Sequence, residues 1–164
     1  MAGAPVRAFV GVGANLGDAV QTVRDALQEL GRLPQTALQA CSSLYRSAPV
    51  EATGPEFVNA VAELCTALPP FTLLRELQAI ERRHGRVRSV RNAPRTLDLD
   101  LLLYGQQVLS SPELTVPHPR LHLRAFVLLP LHEIAPAVEV PGLGPLGPWL
   151  AKAAGQSIAR LESG

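Results

Sequence analysis

Lysine is nearly absent from this chain: of fifteen Lys and Arg residues, only Lys152 is not an arginine. Net charge is scarce too, +1 overall, which argues against a protein whose main business is nucleic acid or an anionic membrane. Aromatic residues make up only 4%, few for the stacking platform of a single-strand RNA binder. The two cysteines, Cys41 and Cys65, lie far apart without a CxxC pattern. Each therefore reads as a buried reduced thiol rather than half of a disulfide. No apolar run approaches ~18 residues, so no membrane span is expected. A basic region followed by a long apolar run is missing from the N-terminus, so no signal peptide is expected either. The default is a soluble cytoplasmic protein. There is no GK[ST] of a P-loop, no GxSxG and no Cys–His nucleophile signature. His84, His122 and His132 have no ligand spacing with Cys or Asp, which argues against a zinc site.

What is present is a chain of 164 residues, 47% apolar and 18% charged. That suits one compact domain, residues 1–164, able to bury a real core. No internal repeat or linker divides it. Positive charge is concentrated, with seven arginines between Arg75 and Arg95. A local arginine cluster in a near-neutral protein suggests a small anionic ligand, such as a polyphosphate.

Periodicity orders the elements. Val6 to Val12 reads as a strand that ends in glycines. Asp18 looks like a helix cap, with Val20, Val23, Leu27 and Leu30 on one face of a helix ending near Gly31. Thr36–Ser47 reads as a second strand and Phe57–Leu68 as a third. Pro69 and Pro70 suit a helix start, and Leu73, Leu74, Leu77 and Ile80 line a helix that ends near Gly85. A basic loop follows, then the strand RTLDLDLLLYG, turned at Gly105. The segment RAFVLLPLHEIAP reads as a short helix kinked or interrupted at Pro130. Beyond it, a short helix is expected around Trp149–Ala154 and a final strand over Ser157–Leu161. The order β-α-β-β-α-β predicts a ferredoxin-like α+β sandwich with a C-terminal extension.

Within RNAPRTLDLDLLLYG, Asp98 and Asp100 share one strand face, roughly 6.5 Å apart along the chain. Leu97, Leu99, Leu101 and Leu103 are expected on the other. Such a carboxylate pair suits one or two hard divalent cations, with phosphate oxygens completing the shell. It also suits a solvent-facing strand paired with surface arginines. Of the arginines before it, Arg82 and Arg83 read as helix-dipole complements. Arg86, Arg88 and Arg95 are placed to clamp phosphates. The glycines of GVGANLGD match no nucleotide fingerprint and read as a structural turn. His118, between two prolines, could donate to a phosphate or carry a proton, or be simply structural. Phe57 and Asn59 share a strand face, where a ring could stack on a flat heterocycle and an amide read its edge; a core Phe with a polar neighbour would look the same.

VGVGANLGD, SSLYRSAPV, FVNAVAEL, GRVRSVRNAPRTLDLDLLLYG and LTVPHPRLHLRAFVLLPLHEIAP together resemble one family, the 6-hydroxymethyl-7,8-dihydropterin pyrophosphokinases of folate biosynthesis. The likeness covers nearly the whole chain. It implies an enzyme that moves the β,γ-pyrophosphoryl group of ATP to the hydroxymethyl oxygen of the dihydropterin, leaving AMP. It also implies two Mg²⁺ held by Asp98 and Asp100. Asn59 and the backbone of Ser47, Ala48, Pro49 and Val50 would read the pterin edge, with the ring between Phe57 and Phe126. Arg86 and Arg95 match mobile phosphate-binding arginines, and His118 and Arg124 match ATP contacts. Gln78, Glu81, Arg88, Leu101 and Thr115 fall where the family touches adenosine or triphosphate. Gln78 and Glu81 are expected at the rim of the packed helix face. A monomer without nucleic acid or membrane partners is implied. Ala14, Asn92-Ala93 and Glu113 depart from the family pattern, which often has Ser, Trp-Gly and a basic residue there. Two other readings compete: a ferredoxin-like nucleotide- or RNA-binding module without this activity, and a metal-dependent phosphodiesterase using the same aspartates.

Overall fold

The computed structural model describes residues 4–15, 18–47, 57–84 and 97–161. A first strand, β1 (Val6–Ala14), leads into helix α1 (Ala19–Leu30). As the sequence predicts, Asp18 caps α1, its Oδ1 accepting from the Gln21 N–H at 3.1 Å. Strands β2 (Thr36–Cys41), β3 (Tyr45–Ser47) and β4 (Phe57–Thr66) follow, then α2 (Pro70–Arg83) with proline in its first turn. Strand β5 (Asp98–Tyr104) completes the central unit. Two small ladders come next, β6 (Leu109–Ser110) with β7 (Thr115–Val116), and β8 (Glu139–Val140) with β9 (Gly144–Pro145). Helix α3 (Ala125–Ile134) lies between them, and α4 (Gly147–Lys152) and β10 (Ile158–Arg160) end the described chain.

The main sheet is antiparallel, in the order β10-β3-β4-β1-β5, with β2 also on β4. Ala8, Val10, Val12 and Ala14 of β1 point to one face, joined by Val58, Ala60, Ala62 and Leu64 of β4. The apolar sides of α1 and α2 close over them: Val23, Leu27 and Leu30, then Leu73, Leu77 and Ile80. On the opposite face Phe9, Val61 and Leu102 pack against Leu128 and Leu131 of α3. The sheet is therefore covered by α1 and α2 on one side and by α3 and the C-terminal segment on the other.

Four expectations change. The strand expected over Thr36–Ser47 is two strands, because Ser42 and Ser43 divert the backbone. The Ser42 hydroxyl accepts the Val61 N–H at 2.9 Å, and the Ser43 N–H turns to the Glu133 carboxylate at 3.0 Å. Leu103 does not follow Leu97, Leu99 and Leu101: Val10 pairs with Leu101 but Phe9 with Leu103, so Leu102 is an extra residue in β5. That bulge turns Leu103 to the α3 side. Helix α3 is not interrupted; it runs through Pro130 to Ile134. Finally, Cys41 is exposed and Cys65 half-buried, though both are free thiols as expected. Cys41 lies near the end of an edge strand whose residues alternate in and out.

The extension has a definite task. Gln156 brackets the start of α3: its Oε1 accepts from Ala125 N–H at 2.9 Å and its Nε2 donates to Leu123 C=O at 2.7 Å. No polar side chain at the N-cap itself does this, since Arg124 holds that position. β10 also adds to the sheet edge by pairing with β3.

Candidate active site

The α3-facing side of the sheet is not uniformly filled. Gly13 of β1 pairs with Asn59 of β4 on one side and with Asp98 of β5 on the other. Gly11 stands likewise between Val61 and Asp100. Side chains directly opposite share a face, so each row reads side chain, bare glycine, carboxylate. Strands are about 4.8 Å apart, so a gap some two strands wide separates the amide of Asn59 from the carboxyl of Asp98. A cavity of about 220 Å³ opens over it.

One wall is Phe57 and Asn59, with Ser47 from the neighbouring β3; the other is Asp98 and Asp100. Arg124, Phe126 and Val127 at the start of α3 bound the cavity from the helix layer. The Asn59 amide has a fixed sense. Its Nδ2 donates to the Ser47 hydroxyl at 2.6 Å, and a Cβ on Gly13 would lie 3.3 Å from its Oδ1. The carbonyl oxygen is thus turned toward the glycine gap, where it can accept from a ring N–H or amino group. The Arg124 guanidinium lies 5.3 Å from the centre of the Phe126 ring, holding a cation beside the stacking surface.

Seven expected residues are brought together here: Ser47, Phe57, Asn59, Asp98, Asp100, Arg124 and Phe126. His118 stands close by without lining the cavity. Burial lowers its pKa, the charge of Asp100 opposes that, and Arg124 and Arg120 lower it further. The Arg120 N–H donates to His118 Nδ1 at 3.1 Å, so in the neutral ring Nε2 bears the proton and can donate to an anion. Ala48, Pro49, Val50, Arg86, Arg88 and Arg95 lie outside the described residues, as does Asn92-Ala93.

The remaining expected contacts do not line the cavity. Leu101 is 3% exposed in the core beneath α1 and α2. Thr115 is half-buried in β7. Gln78 is exposed on α2, across the sheet. Glu81 is not at the rim of its helix: it is 5% exposed, and its Oε2 accepts from the Leu99 N–H at 2.9 Å. That bond ties α2 to β5 one residue from each aspartate. Sequence reasoning missed the role of Gly11, inside the expected strand, and of Gly13, taken as a turn but lying within β1. Two glycines alternating inside a strand are the available signal, since they mark close approach of a ligand or backbone.

A larger groove, about 760 Å³, runs between α1 and the β3–β10 edge, beside Arg24, Arg46 and Arg160. None of the expected site residues lines it. The smaller cavity is the better candidate because it gathers carboxylates, amide and rings.

An antiparallel sheet thus gathers a carboxylate pair, a cation and an aromatic–amide wall around one cavity. A family profile described as 7,8-dihydro-6-hydroxymethylpterin-pyrophosphokinase (HPPK) matches residues 9–136. The chain belongs to this family, and so is an enzyme of the pyrophosphokinase class. It is similar to the 2-amino-4-hydroxy-6-hydroxymethyldihydropteridine pyrophosphokinase of Pseudomonas aeruginosa, 47% identical over 156 residues, covering 94% of this chain and 96% of that one. The protein of the same name from Haemophilus influenzae is 44% identical over 137 residues, 83% of this chain and 86% of that one. In fold it resembles an HPPK-DHPS crystal structure in complex with substrates, with a TM-score of 0.73 at 11% identity. Wild-type HPPK-DHPS of Plasmodium falciparum gives 0.70 at 12%. The chain covers 92% and 90% of itself in these matches but only 43% and 41% of those longer chains, and at such identity they bear on the fold alone.

Proposed function

We propose that this protein transfers the β,γ-pyrophosphoryl group of ATP to 6-hydroxymethyl-7,8-dihydropterin, giving AMP and the pterin pyrophosphate for folate synthesis. The observation that carries this reading is the row Asn59–Gly13–Asp98. It sets a ring-reading amide and an acidic centre on opposite sides of a gap that no side chain fills. In this reading the pterin lies over the gap between Phe57 and Phe126, its amino edge on Asn59 Oδ1. Its hydroxymethyl group then points toward Asp98.

Two carboxylates on one strand face are a hard oxygen donor set. That suits Mg²⁺, which keeps most of its shell for water and phosphate oxygens and asks little of the protein. Among the described residues no group of three or more His, Cys, Asp or Glu is placed to hold a metal ion, so the two aspartates would leave most of the shell to water and phosphate oxygens. Asp98 and Asp100 would hold two ions, which supply charge neutralisation on the triphosphate. The hydroxymethyl oxygen attacks the β-phosphorus in line, the bond to the α-phosphate oxygen breaks, and AMP leaves. The hydroxyl proton departs as the new O–P bond forms, and no single side chain is required as its base. Arg124, with Arg86, Arg88 and Arg95, would oppose the negative charge of the phosphates, and the neutral His118 ring would donate a hydrogen bond to them. Gln78, Glu81, Leu101 and Thr115 would reach adenosine or triphosphate only from across or beyond β5, so any contact from Leu101 is main-chain.

We read the sheet as the ferredoxin-like βαββαβ arrangement, with β2 and β3 sharing the place of its second strand. We further read residues 1–164 as one domain, acting as a cytoplasmic monomer without nucleic acid. The RNA-binding alternative is disfavoured because, among the described residues, the exposed large apolar side chains are Val108 and Leu123 and none is a sheet aromatic. The test is AMP release from ATP, measured with and without hydroxymethyl-dihydropterin. Release that depends on the pterin supports the proposal; AMP formation indifferent to it, or none with both substrates and Mg²⁺ supplied, overturns it.

A further inference from the structure

Glu133 occupies a costly place for an acid. It lies in the last turn of α3, where the helix presents unpaired carbonyls and disfavours negative charge. Its carboxylate is nevertheless held by several donors. Its oxygens accept from the Ser43 N–H at 3.0 Å, the Ser43 hydroxyl at 2.9 Å and the Tyr45 hydroxyl at 2.7 Å. Arg160 of β10 approaches to 3.6 Å. Helix stability does not explain an acid there; the bonds across to β3 do.

The two structures joined by Glu133 are two walls of the cavity. At its other end α3 carries Arg124, Phe126 and Val127 into the site. Two residues past Tyr45, β3 carries Ser47, which holds the Asn59 amide. Tyr45 and Ser47 point to the same face, and Tyr45 pairs directly with Asn59. Ser42 and Ser43 interrupt the ladder just before β3, so the strand enters on only three residues and depends on side chains to fix its start. Gln156 does the matching service at the N-terminal end of α3.

We infer that Glu133 is a positioning residue for the pterin subsite: by binding Ser43 and Tyr45 it fixes the spacing between the Phe126 wall and the Ser47–Asn59 wall. It touches neither substrate nor phosphate. The inference rests on the proposed pterin-binding role of this cavity. A bridge of this kind acts on ring binding and leaves the β5 carboxylates, Asp98 and Asp100, in place.

The test compares wild type, Glu133→Ala, Glu133→Gln and Tyr45→Phe. Steady-state kinetics are measured in both substrates, and calorimetric binding uses 6-hydroxymethylpterin as the probe. Glu133→Ala is expected to raise the pterin KM and the probe Kd about tenfold, the size of one or two lost hydrogen bonds. Its KM for ATP and kcat at saturating pterin should stay within about twofold. Glu133→Gln keeps acceptor oxygen and should recover most of the loss. Tyr45→Phe removes one bond and should shift the pterin KM about threefold, which keeps the test open if Glu133→Ala does not fold. A purely structural role predicts lower thermal stability with pterin KM and Kd unchanged, and that result overturns the inference, as does an equal rise in both KM values. Wild type that fails to bind the probe overturns the pterin reading and this inference together. Wild type that binds it while all variants match wild type overturns this inference alone.

Discussion

The two faces of the central sheet come from the same strands and differ in what alternates. Facing α1 and α2, β1 and β4 present an unbroken aliphatic surface, including Val10, Val12, Ala62 and Leu64, each at most 3% exposed. Facing α3, the same strands present Gly11, Gly13 and Asn59, and β5 adds Asp98 and Asp100. One face is filled to exclude water. The other is filled by Phe9, Val61, Leu102 and α3 toward one end and left open toward the other. Packing on the closed face holds the strands in register, and the register places an amide, a bare glycine and a carboxylate in one row. Stability and chemistry are thus carried by opposite sides of the same residues' backbone.

The sharpest break in this comparison is at the aspartates. Asp98→Ala or Asp100→Ala should lower turnover by about three orders of magnitude or more, with a melting temperature within a few degrees of wild type. Near-normal turnover in either would sink the carboxylate-pair site. The converse change is Leu77→Ala, on the closed face. It should cost about 2–5 kcal/mol of stability in urea unfolding, yet leave activity per folded molecule close to wild type at low temperature. If Leu77→Ala instead abolished activity without loss of stability, the division between the faces would be wrong.

Smaller effects separate the two glycines. A Cβ at Gly13 meets Asn59 Oδ1 at 3.3 Å, tighter than ordinary contact, whereas at Gly11 it meets Leu102 at 3.5 Å. Gly13→Ala should weaken pterin binding about tenfold by displacing the amide, and Gly11→Ala should change it by less than about threefold. Equal effects at both would mean that the gap, not the amide, matters.

The smallest effect is on pH dependence, at the bridge between α3 and β3. Burial pushes the Glu133 carboxyl up, but bonds from Tyr45 and Ser43 and the charge of Arg160 bring it below its ordinary 4.5. Its contribution is therefore full above about pH 4.5 and lost as pH falls through the lower folded value. Tyr45 is pushed up to about 12 by burial, then by its bond to Glu133 and that carboxylate's charge. Its contribution is present below pH 10 and lost as pH rises toward 12. In unfolding titrations, Glu133→Gln should differ from wild type above pH 5 and converge with it in acid, and Tyr45→Phe should flatten the alkaline limb.

Much of this was legible in the sequence where the signal is local. The cap at Asp18, the Pro70 start of α2 and the in–out alternation around Asp98 and Asp100 each depend on neighbours within a turn or a strand. What was not legible depends on partners far along the chain. Ser42 and Ser43 split a strand because Val61 and Glu133 lie beside them. Leu103 changes face because β1 takes one residue fewer than β5. Glu81 reads as a rim residue on its own helix and is buried only because β5 offers an unpaired N–H. Gly13 looked like a turn because nothing in its own segment shows Asn59 on one side and Asp98 on the other. The helix with Pro130 inside it was legible; that it continues without interruption was not, because the packing of Leu128 and Leu131 outweighs one lost hydrogen bond.

The most direct measurement is a crystal structure with Mg²⁺, a non-hydrolysable ATP analogue and 6-hydroxymethylpterin. The account predicts the ring over Gly13, between Phe57 and Phe126, with its amino edge on Asn59 Oδ1 and the hydroxymethyl group toward Asp98. A ring bound instead in the groove beside Arg24 and Arg46, or metal bound away from Asp98 and Asp100, would contradict it.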